Sequence, residues 1–432
     1  MIPRFTFFVA GLALQTGICS GMPATTIEQD SHHWVSVWAS MPQMAEPANL
    51  PPAPFNSTES IFDNSTLRQT IRLTQAAKEI RLRLSNAFGL ADLDVTEVTV
   101  SLTADQKLGS GAIQRGTTKK VLFDGSRGMT IPNGALAVSD PINVPKGGTT
   151  LTVDIYLQNG QQGGAITSHP GSRTTSWMSF GDWTGASNLT DPSVASVAHW
   201  YFISSVEGLL PRTARSCVLV GDSITDGRGS DTDANNRWPD RLQKRLRQDP
   251  STAQLSLLNQ AAGGNRILAD GLGPNVLSRL DRDVLGHSGV QCAVLFEGVN
   301  DIGVAATDPA TQEALGTHLI TAYRQVTTRL HAAGIPVIGA TITPFSAPAE
   351  DAGTQPYSDP ERERTRQRVN AWIRDSGAFD AVVDFDEMVG DPKAPERLLG
   401  EYDSGDYLHL NGVGYQAMAD GFPIGVFDKM IR

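Results

Sequence analysis

After Pro211 the chain alternates short apolar runs with stretches of helical periodicity, and this alternation limits the fold more than any other feature. Strands buried on both faces of a parallel sheet read as continuous apolar runs, and the helices between them cover the sheet. The apolar runs are residues 217–220, 255–258, 292–296, 336–342 and 381–385, and the main helical stretches are residues 238–247, 312–333 and 360–375. We therefore predict an α/β fold, with a flavodoxin-like three-layer α/β/α domain on a parallel sheet over residues 214–432.

The first half of the chain has a different pattern, in which strand-like alternation is separated by turn residues. The alternation is clearest over residues 66–73, 79–84, 150–157 and 199–205, and convincing helical periodicity is absent from this half. The pattern predicts an all-β, jelly-roll-like sandwich as an accessory domain over residues 30–208.

The charge balance argues against two classes of partner. The 432 residues carry 46 acidic and 35 basic side chains, a formal net charge of −11. Nucleic acid and anionic membranes both attract basic surfaces, so we predict no nucleic-acid partner and no membrane partner. The sequence leaves the oligomeric state open.

The first 21 residues have the order of a secretory signal peptide. Arg4 is followed by the apolar run 5–14 and then by small residues around Ser20. The run is too short to anchor the chain in a bilayer, so we predict cleavage after residues 1–21 and a secreted, extracellular protein. Three sequons, at Asn56, Asn64 and Asn188, would accept N-glycans in a eukaryotic source.

Cysteine usage excludes two further kinds of site. Cys19 falls in the predicted signal peptide, which leaves Cys217 and Cys292. Two cysteines cannot form a framework of many disulfides or a structural zinc site, although a single bridge between neighbouring strands remains open. The acidic run 231–235 has alternating oxygen ligands but lacks the glycine and distal glutamate of an EF-hand. We predict no metal and no cofactor.

Candidate catalytic residues stand at the ends of predicted strands, where the loops of a parallel sheet converge. The first strand runs directly into Gly221-Asp222-Ser223, which places the Ser223 hydroxyl at the sheet edge. A serine hydroxyl is a poor nucleophile until a base removes its proton. Alone, a serine here is more often a helix cap or a turn residue, so its chemistry depends on partners elsewhere in the chain.

Asp406 and His409 lie three residues apart in the last loop of the chain. At that spacing a carboxylate can accept a hydrogen bond from one ring nitrogen while the other ring nitrogen faces a serine. Without further motifs, an aspartate and a histidine at this spacing are more often a helix-capping residue and a surface histidine.

Two other loops offer hydrogen-bond donors for an oxyanion, which an ester hydrolase needs. The loop after the second strand contains Gly263-Gly264-Asn265, where glycine lets a backbone amide approach a substrate closely. The loop after the third strand contains Gly298-Val299-Asn300-Asp301 and offers the side-chain amide of Asn300. Taken singly, each of these segments reads as a turn.

Together the four segments resemble the characteristic blocks of the SGNH (GDSL-type) hydrolases, in the family's order. The resemblance implies Ser223 as the nucleophile, His409 as the general base and Asp406 as the residue that orients the histidine. It also implies an oxyanion hole made by Ser223, Gly264 and Asn300, with the adjacent Gly263 as an alternative donor. The first block reads Gly-Asp-Ser-Ile, where the family motif ends in leucine.

Further segments look like a subgroup of secreted two-domain esterases that is similar to an arylesterase or acylhydrolase associated with xylan degradation. They are residues 81–86, 139–141, 237–239, 282–285, 340–345 and 384–386. The resemblance therefore covers nearly the whole mature chain, with its specific motifs after Val218. It implies an SGNH catalytic domain over residues 214–432.

The predicted function is a secreted serine esterase that hydrolyses short-chain acyl, acetyl or aryl esters of a small molecule or a plant polysaccharide. Asp222, Asn265 and Arg237 are predicted substrate contacts, together with Asp226 and Asn236 beside the active-site entrance. The alternatives are a lipase, phospholipase or transacylase. A glycan-binding protein with an inactive hydrolase domain is an alternative of another class.

Overall fold

A computed structural model of the protein describes residues 31–144, 148–351 and 353–430. The predicted signal peptide, residues 1–21, lies outside the described residues. The N-terminal part of the described chain forms antiparallel sheets, and a parallel sheet with helices follows it. The prediction of a β-rich region followed by an α/β region is confirmed, whereas the limits 30–208 and 214–432 stay predictions. Of the helices that the structure describes, none is both long and apolar enough to cross a membrane.

The N-terminal region consists of short strands, with 3-10 turns at Pro47–Asn49 and Ala104–Gln106. In chain order the strands are β1 (His32–Ala39), β2 (Gln43–Met44), β3 (Ile61–Arg72), β4 (Glu79–Ser85), β5 (Leu93–Val95), β6 (Glu97–Leu102), β7 (Lys119–Val121), β8 (Met129–Ile131), β9 (Leu136–Val138), β10 (Ile142–Asn143), β11 (Thr150–Gln161), β12 (Thr167–His169), β13 (Ser176–Phe180), β14 (Ala195–Val197), β15 (Trp200–Tyr201) and β16 (Ile203–Pro211). The predicted strand 199–205 is interrupted at Phe202, whose φ of 64° departs from strand geometry.

Two larger sheets carry most of these strands, in the orders β1-β16-β4-β10, with β9 beside β4, and β14-β13-β3-β11-β6-β7. A smaller sheet has the order β15-β12-β2, and β5 pairs with β8. In β4, Ile80 and Leu82 are buried, while Arg81 and Arg83 alternate with them and form ion pairs with Glu207 of β16. This period of two places one face of the strand in the core.

The C-terminal region alternates strands and helices. Its strands are β17 (Arg215–Gly221), β18 (Leu255–Ala261), β19 (Val290–Phe296), β20 (Val337–Ala340), β21 (Ala381–Val383), β22 (Gly390–Asp391) and β23 (Ala394–Leu398). Its helices are α1 (Ser223–Asp226), α2 (Trp238–Gln248), α3 (Val276–Leu280), α4 (Val299–Val304), α5 (Pro309–Ala332), α6 (Pro360–Asp375), α7 (Phe385–Val389) and α8 (Gly412–Gly421). A π-helical turn, Asp281–Leu285, continues α3, and 3-10 turns lie at Ala349–Asp351 and Ile424–Lys429.

The five strands β17 to β21 form one parallel sheet in the order β18-β17-β19-β20-β21. Because β17 lies between β18 and β19, the loops that follow these three strands leave the same edge of the sheet side by side. The winding direction of the sheet also reverses at this point, and such switch points are where open α/β sheets bind ligands.

Local capping signals set the starts of the two long helices. Helix α6 begins at the predicted residue, Pro360, and the Asp359 carboxylate before it accepts hydrogen bonds from the amides of Glu361 and Arg362. Helix α5 begins three residues before the predicted start. Its true N-cap is Asp308, whose side chain accepts a hydrogen bond from the amide of Thr311.

Buried apolar side chains form two clusters, one among the N-terminal strands and one around the parallel sheet. Cys217 and Cys292 belong to the second cluster and are joined by a disulfide. The two cysteines are register partners on β17 and β19, so the bridge that the sequence left open links neighbouring central strands.

Hydrogen bonds join the two regions along the length of their contact. The Ser36 amide donates to the carbonyl of Ser288 at 2.9 Å, and the Gln75 side chain donates to the carbonyl of Gln254 at 2.7 Å. Nearer the carboxyl edge of the parallel sheet, Gln43 Nε2 donates to the Leu272 carbonyl at 3.2 Å. The N-terminal region therefore reaches the loops that carry the candidate catalytic residues.

Candidate active site

Ser223 is the first residue of α1 and follows strand β17 after a single intervening residue. That residue, Asp222, caps the helix, because its carboxylate accepts a hydrogen bond from the Ile224 amide at 2.9 Å. The sharp turn holds the Ser223 side chain at the carboxyl edge of the sheet, where it is 5% exposed.

A hydrogen-bonded chain connects Ser223, His409 and Asp406. Ser223 Oγ lies 2.8 Å from His409 Nε2, and His409 Nδ1 lies 2.7 Å from Asp406 Oδ2. The other carboxylate oxygen of Asp406 accepts the amides of His409, at 2.8 Å, and of Leu408, at 3.1 Å. Gln355 Nε2 donates to the Asp406 carbonyl at 2.5 Å and so ties this loop to a neighbouring one. The three residues that the sequence singled out therefore lie together in the order of a catalytic triad.

The electrostatics of Asp406 suit an orienting carboxylate. Partial burial acts to raise its pKa, but hydrogen bonds from the His409 ring and from the amides of His409 and Leu408 outweigh burial and hold the pKa below its ordinary value. The carboxylate is therefore ionised at neutral pH and accepts a hydrogen bond from the Nδ1–H group of His409. This leaves Nε2 as the ring nitrogen that can accept the Ser223 proton.

Donors for an oxyanion converge beside Ser223. In the described ranges, the backbone amides of Ser223, Gly263 and Gly264 have no protein acceptor. Asn300 Nδ2 donates one hydrogen to the Asn265 carbonyl at 2.9 Å and keeps a second one free to donate. Tyr357 donates its hydroxyl to Asn300 Oδ1 at 3.0 Å, which fixes the orientation of the amide.

Gly264 has a backbone conformation that a side chain would disturb. Its φ is +69°, and a Cβ atom at this position would lie 2.8 Å from Leu272 Cδ1. At Gly263 the corresponding space is empty. Both glycines line the cavity, so the choice between them as oxyanion donor stays open.

Arg279 of α3 holds the ends of the neighbouring strands and the glycine-containing loop together. Its guanidinium donates to the Gln260 carbonyl at 2.7 Å and to Asn265 Oδ1 at 3.1 Å. Asp301 fixes the other side of the loop, because its carboxylate accepts the amides of Ile267 and Leu268, each at 2.9 Å. These contacts pre-organise the oxyanion donors.

Several carboxyl groups are buried together below the serine. Burial raises the pKa of Asp222 to about 7, and the charges of Asp301 and Asp226 add to the effect. Burial, with the nearby Asp222, raises the pKa of Glu297 well above its usual range, although Arg279 lies 3.4 Å away. Desolvation outweighs this long ion pair, so burial favours the protonated form of Glu297.

Of the five predicted substrate contacts, Asp226 lines the cavity, whereas Asp222, Asn265, Arg237 and Asn236 are absent from its lining. The Asp222 carboxylate caps α1, and the Asn265 side chain is buried between Arg279 and the Pro274 carbonyl. The Arg237 guanidinium donates to the Ser172 carbonyl and lies 5.7 Å from the Trp200 ring. In this placement the side chains of Asp222, Asn265 and Arg237 support loops, and their contact with a substrate stays a prediction.

The acidic run 231–235 docks onto the N-terminal region. The Asp233 carboxylate accepts the Thr175 amide at 2.7 Å and the Thr175 hydroxyl at 2.8 Å, and the Asp233 amide donates to the Arg173 carbonyl at 2.9 Å. Within the three described ranges, no group of three or more His, Cys, Asp or Glu side chains is arranged to hold a metal ion.

A cavity of about 620 Å³ opens over Ser223 and His409 and is walled by both regions of the chain. Most of its lining side chains are polar, and several come from the N-terminal region. They include Gln43, Glu46, Asn49, Arg173 and His199 from the N-terminal region and Asp226, Arg228, Gln355 and Tyr357 from the C-terminal region. The sequence singled out only Asp226 of these, because the remaining residues belong to no motif and meet only through the packing of the two regions.

Asp226 connects the two regions at the cavity. Its carboxylate lies 3.0 Å from His169 Nε2, while His169 Nδ1 lies 3.0 Å from the Met41 carbonyl. Both neighbours of the His169 ring are oxygen acceptors, so the ring links a strand of the N-terminal region to α1.

Comparison with known proteins gives one family match. Residues 219–417 match the GDSL-like lipase/acylhydrolase family, and this stretch runs from β17 into α8 and contains Ser223, Gly264, Asn300, Asp406 and His409. No curated protein matches the chain.

Three solved structures illustrate its structural similarities. An acetyl xylan esterase, AlAXEase, is 21% identical, with 48% of this chain and 96% of that chain covered and a TM-score of 0.34. A GDSL-like lipase from Bacteroides thetaiotaomicron VPI-5482 is 17% identical, with coverages of 50% and 89% and a TM-score of 0.36. A carbohydrate acetylesterase family member from Sinorhizobium meliloti is 16% identical, with coverages of 50% and 99% and a TM-score of 0.37.

Proposed function

We propose that this ester hydrolase cleaves carboxylic esters through an acyl-enzyme on Ser223, as the match of residues 219–417 to the GDSL-like lipase/acylhydrolase family supports. The observation that carries this proposal is the continuous chain of hydrogen bonds from Ser223 Oγ through His409 to Asp406, at 2.8 and 2.7 Å.

In the first half of the reaction His409 Nε2 takes the hydroxyl proton as Ser223 Oγ attacks the ester carbonyl. Asp406 stabilises the imidazolium that forms. The oxyanion accepts hydrogen bonds from the Ser223 amide, from the Gly264 or Gly263 amide, and from Asn300 Nδ2. His409 then gives its proton to the departing alkoxide, and the acyl group stays on Ser223.

In the second half a water molecule replaces the alcohol. His409 Nε2 takes a proton from the water as its oxygen attacks the acyl carbon, and the same donors hold the second oxyanion. Collapse of this intermediate breaks the bond to Ser223 Oγ, which regains its proton from His409. The carboxylic acid leaves, and the enzyme returns to its starting state.

The proposed substrates are esters of short acyl groups, including acetyl and aryl esters and acetyl groups on plant polysaccharide. The polar side chains around the cavity support polar alcohol portions over the long acyl chains of lipids. We further propose that the enzyme is secreted, that its catalytic part is a flavodoxin-like three-layer domain, and that the β-rich part is a jelly-roll-like sandwich that walls the cavity.

The test is hydrolysis of p-nitrophenyl esters from acetate to palmitate, with acetate release from acetylated xylan, by the wild type and Ser223→Ala. We expect the highest rates on the shortest chains and a loss of at least about 10³-fold in kcat in Ser223→Ala. Ser251→Ala, which removes an exposed turn hydroxyl bound to Asp249, is the matched control and keeps wild-type rates.

Equal rates in Ser223→Ala and the wild type would overturn the mechanism. Failure to cleave any ester would turn attention to the glycan-binding alternative. A preference for palmitate would favour the lipase alternative.

A further inference from the structure

Two arginines in the cavity have no role in the mechanism proposed above. Arg173 comes from the N-terminal region, and Arg228 follows α1 by two residues. In the described ranges, neither side chain forms an ion pair or donates a hydrogen bond to the protein. Arg237 and Arg279 nearby, in contrast, donate to protein acceptors. Arg173 Nε is also buried without any acceptor.

The three carboxylates that line the same cavity each have a hydrogen-bond partner in the protein. The Glu46 carboxylate accepts Asn49 Nδ2 at 2.8 Å and Gln43 Nε2 at 3.4 Å. Asp226 faces His169, and Asp406 faces His409. The cavity therefore offers unpaired cationic donors, while its carboxylates have partners of their own. The two unpaired guanidinium groups favour a ligand that supplies anionic oxygens, because a guanidinium forms its strongest hydrogen bonds with carboxylate or phosphate oxygens.

The backbone positions of both arginines are fixed relative to the nucleophile. The Arg228 amide donates to the Ser223 carbonyl at 2.9 Å, and the Arg228 carbonyl accepts the Tyr415 hydroxyl at 2.5 Å. Arg173 adopts a φ of +47°, which is uncommon for a residue with a side chain, and its carbonyl accepts the Asp233 amide. Contacts between the two regions thus hold Arg173 in an unfavourable backbone conformation beside the site.

The histidine beside Arg173 adds no charge at neutral pH. Burial, with the nearby His169 and Arg173, lowers the pKa of His199 to about 4. Among the described side chains that line this cavity, Arg173 and Arg228 are the ones that carry a permanent positive charge.

From these observations we propose that Arg173 and Arg228 bind a carboxylate carried by the substrate close to its ester group. The preferred substrates are then acylated uronic acids or acylated hydroxy acids rather than esters of neutral alcohols. This inference rests on the proposed esterase function and narrows its substrate class. It also gives the N-terminal region a defined part in specificity, since Arg173 belongs to it.

The first experiment compares matched pairs of anionic and neutral esters. In one pair, 3-acetoxybenzoate and its methyl ester place the charge on the alcohol side. In the other, p-nitrophenyl hemisuccinate and p-nitrophenyl butyrate place it on the acyl side. We expect the wild type to prefer the anionic member of at least one pair by about 10-fold or more in kcat/KM, the range of charge-assisted hydrogen bonds. Added salt lowers that preference.

Variants connect the preference to the two residues. Arg173→Gln and Arg228→Gln are each expected to lower the ratio of anionic to neutral kcat/KM by about 10-fold, mainly through KM of the anionic ester. Arg127→Gln, an exposed arginine of the same N-terminal region, is the control and leaves the ratio unchanged. A structural role alone would change the melting temperature or both esters equally, and would leave the ratio at its wild-type value.

The results of these assays test the carboxylate preference separately from ester hydrolysis itself. Wild-type hydrolysis of the neutral esters without any anionic preference would overturn the inference and leave the esterase intact. An anionic preference that neither arginine variant reduces would also overturn it. Failure to cleave any ester would overturn the proposed function itself. Comparison of acetylated polygalacturonate with acetylated neutral xylan then distinguishes a polymeric uronate from a small hydroxy acid as the source of the carboxylate.

Discussion

Arginine side chains are buried in both regions of the chain, and the surroundings of Arg68 and Arg279 differ. Arg68 in the N-terminal region is fully buried and forms a bidentate ion pair with Asp154, at 2.7 and 2.9 Å. Its remaining donors bind the carbonyls of Gly111, at 2.9 Å, and Ala186, at 2.8 Å. One positive charge is thus matched by one negative charge, and the guanidinium is well supplied with acceptors.

Arg279 in the C-terminal region faces an excess of acids. It contacts Asp283 at 3.2 Å and Glu297 at 3.4 Å, and Asp222 lies close enough to raise the pKa of Glu297. One oxygen of Glu297 has no hydrogen-bond partner. The first cluster is a balanced structural pair, whereas the second concentrates unfavourable electrostatics directly below the serine, as functional sites often do.

Removal of one member of the balanced pair is expected to give the largest effect. Asp154→Ala leaves the Arg68 guanidinium buried and unpaired, and we expect a loss of about 3–5 kcal/mol in the free energy of unfolding. Urea denaturation followed by circular dichroism measures it. Asp94→Ala, which removes an exposed carboxylate of the same region, changes the value by less than about 0.5 kcal/mol. Equal stabilities of the two variants would show that the buried pair is not a structural anchor.

In the C-terminal region the corresponding test affects activity. Gly264→Ala introduces a side chain at a positive φ and against Leu272, so the loop must shift and misplace an oxyanion donor. We expect a fall of about 10²-fold in kcat on p-nitrophenyl acetate with a melting temperature close to that of the wild type. Gly400→Ala, at a glycine outside the cavity lining where an added Cβ meets nothing within 4 Å, serves as the control. Equal kcat values in Gly264→Ala and the control would show that the loop conformation at Gly264 does not hold an oxyanion donor.

The smallest expected effect concerns Glu297, the buried carboxyl group beside Arg279. In the unfolded chain the Glu297 carboxyl group loses its proton near its ordinary pKa of 4.5, whereas in the folded protein the raised pKa keeps the proton bound to higher pH. The contribution of Glu297 to the free energy of unfolding therefore falls as the pH rises above 4.5. Glu297→Gln removes this contribution. We expect its stability to fall less than that of the wild type between pH 5 and pH 8, by about 1 kcal/mol. Parallel urea curves at both pH values test it, and identical pH dependences would contradict the raised pKa.

The sequence predicted the elements whose causes are local. Helix α6 begins at Pro360 because Asp359 and Pro360 together form a start signal, and apolar runs mark the central strands. Strand-end geometry predicts that Ser223 lies at the sheet edge, whereas its pairing with His409, in the last loop of the chain, is implied by the resemblance to the SGNH hydrolases.

Features that depend on packing between the regions were not predictable in the same way. Arg173 and His199 reach the cavity only because the N-terminal sheets dock against the loops of the other region. Asn265 follows the two glycines, yet its side chain turns inward to Arg279, and no local signal distinguishes that orientation from one toward the substrate. The break at Phe202 is likewise invisible in the alternation of apolar residues.

The disulfide between Cys217 and Cys292 lies near the start of β17 and β19, whereas Ser223 and Asn300 follow the opposite ends of the same two strands. The two cysteines are 75 residues apart in the sequence. Because the crosslink restricts the unfolded chain, closing a loop of this length raises the free energy of unfolding by about 4 kcal/mol. The crosslink also prevents the two strands from sliding past each other at that end. The distance between the nucleophile and the asparagine donor is thus protected by a covalent bond at the far side of the sheet, where a change in the substrate cavity does not reach it.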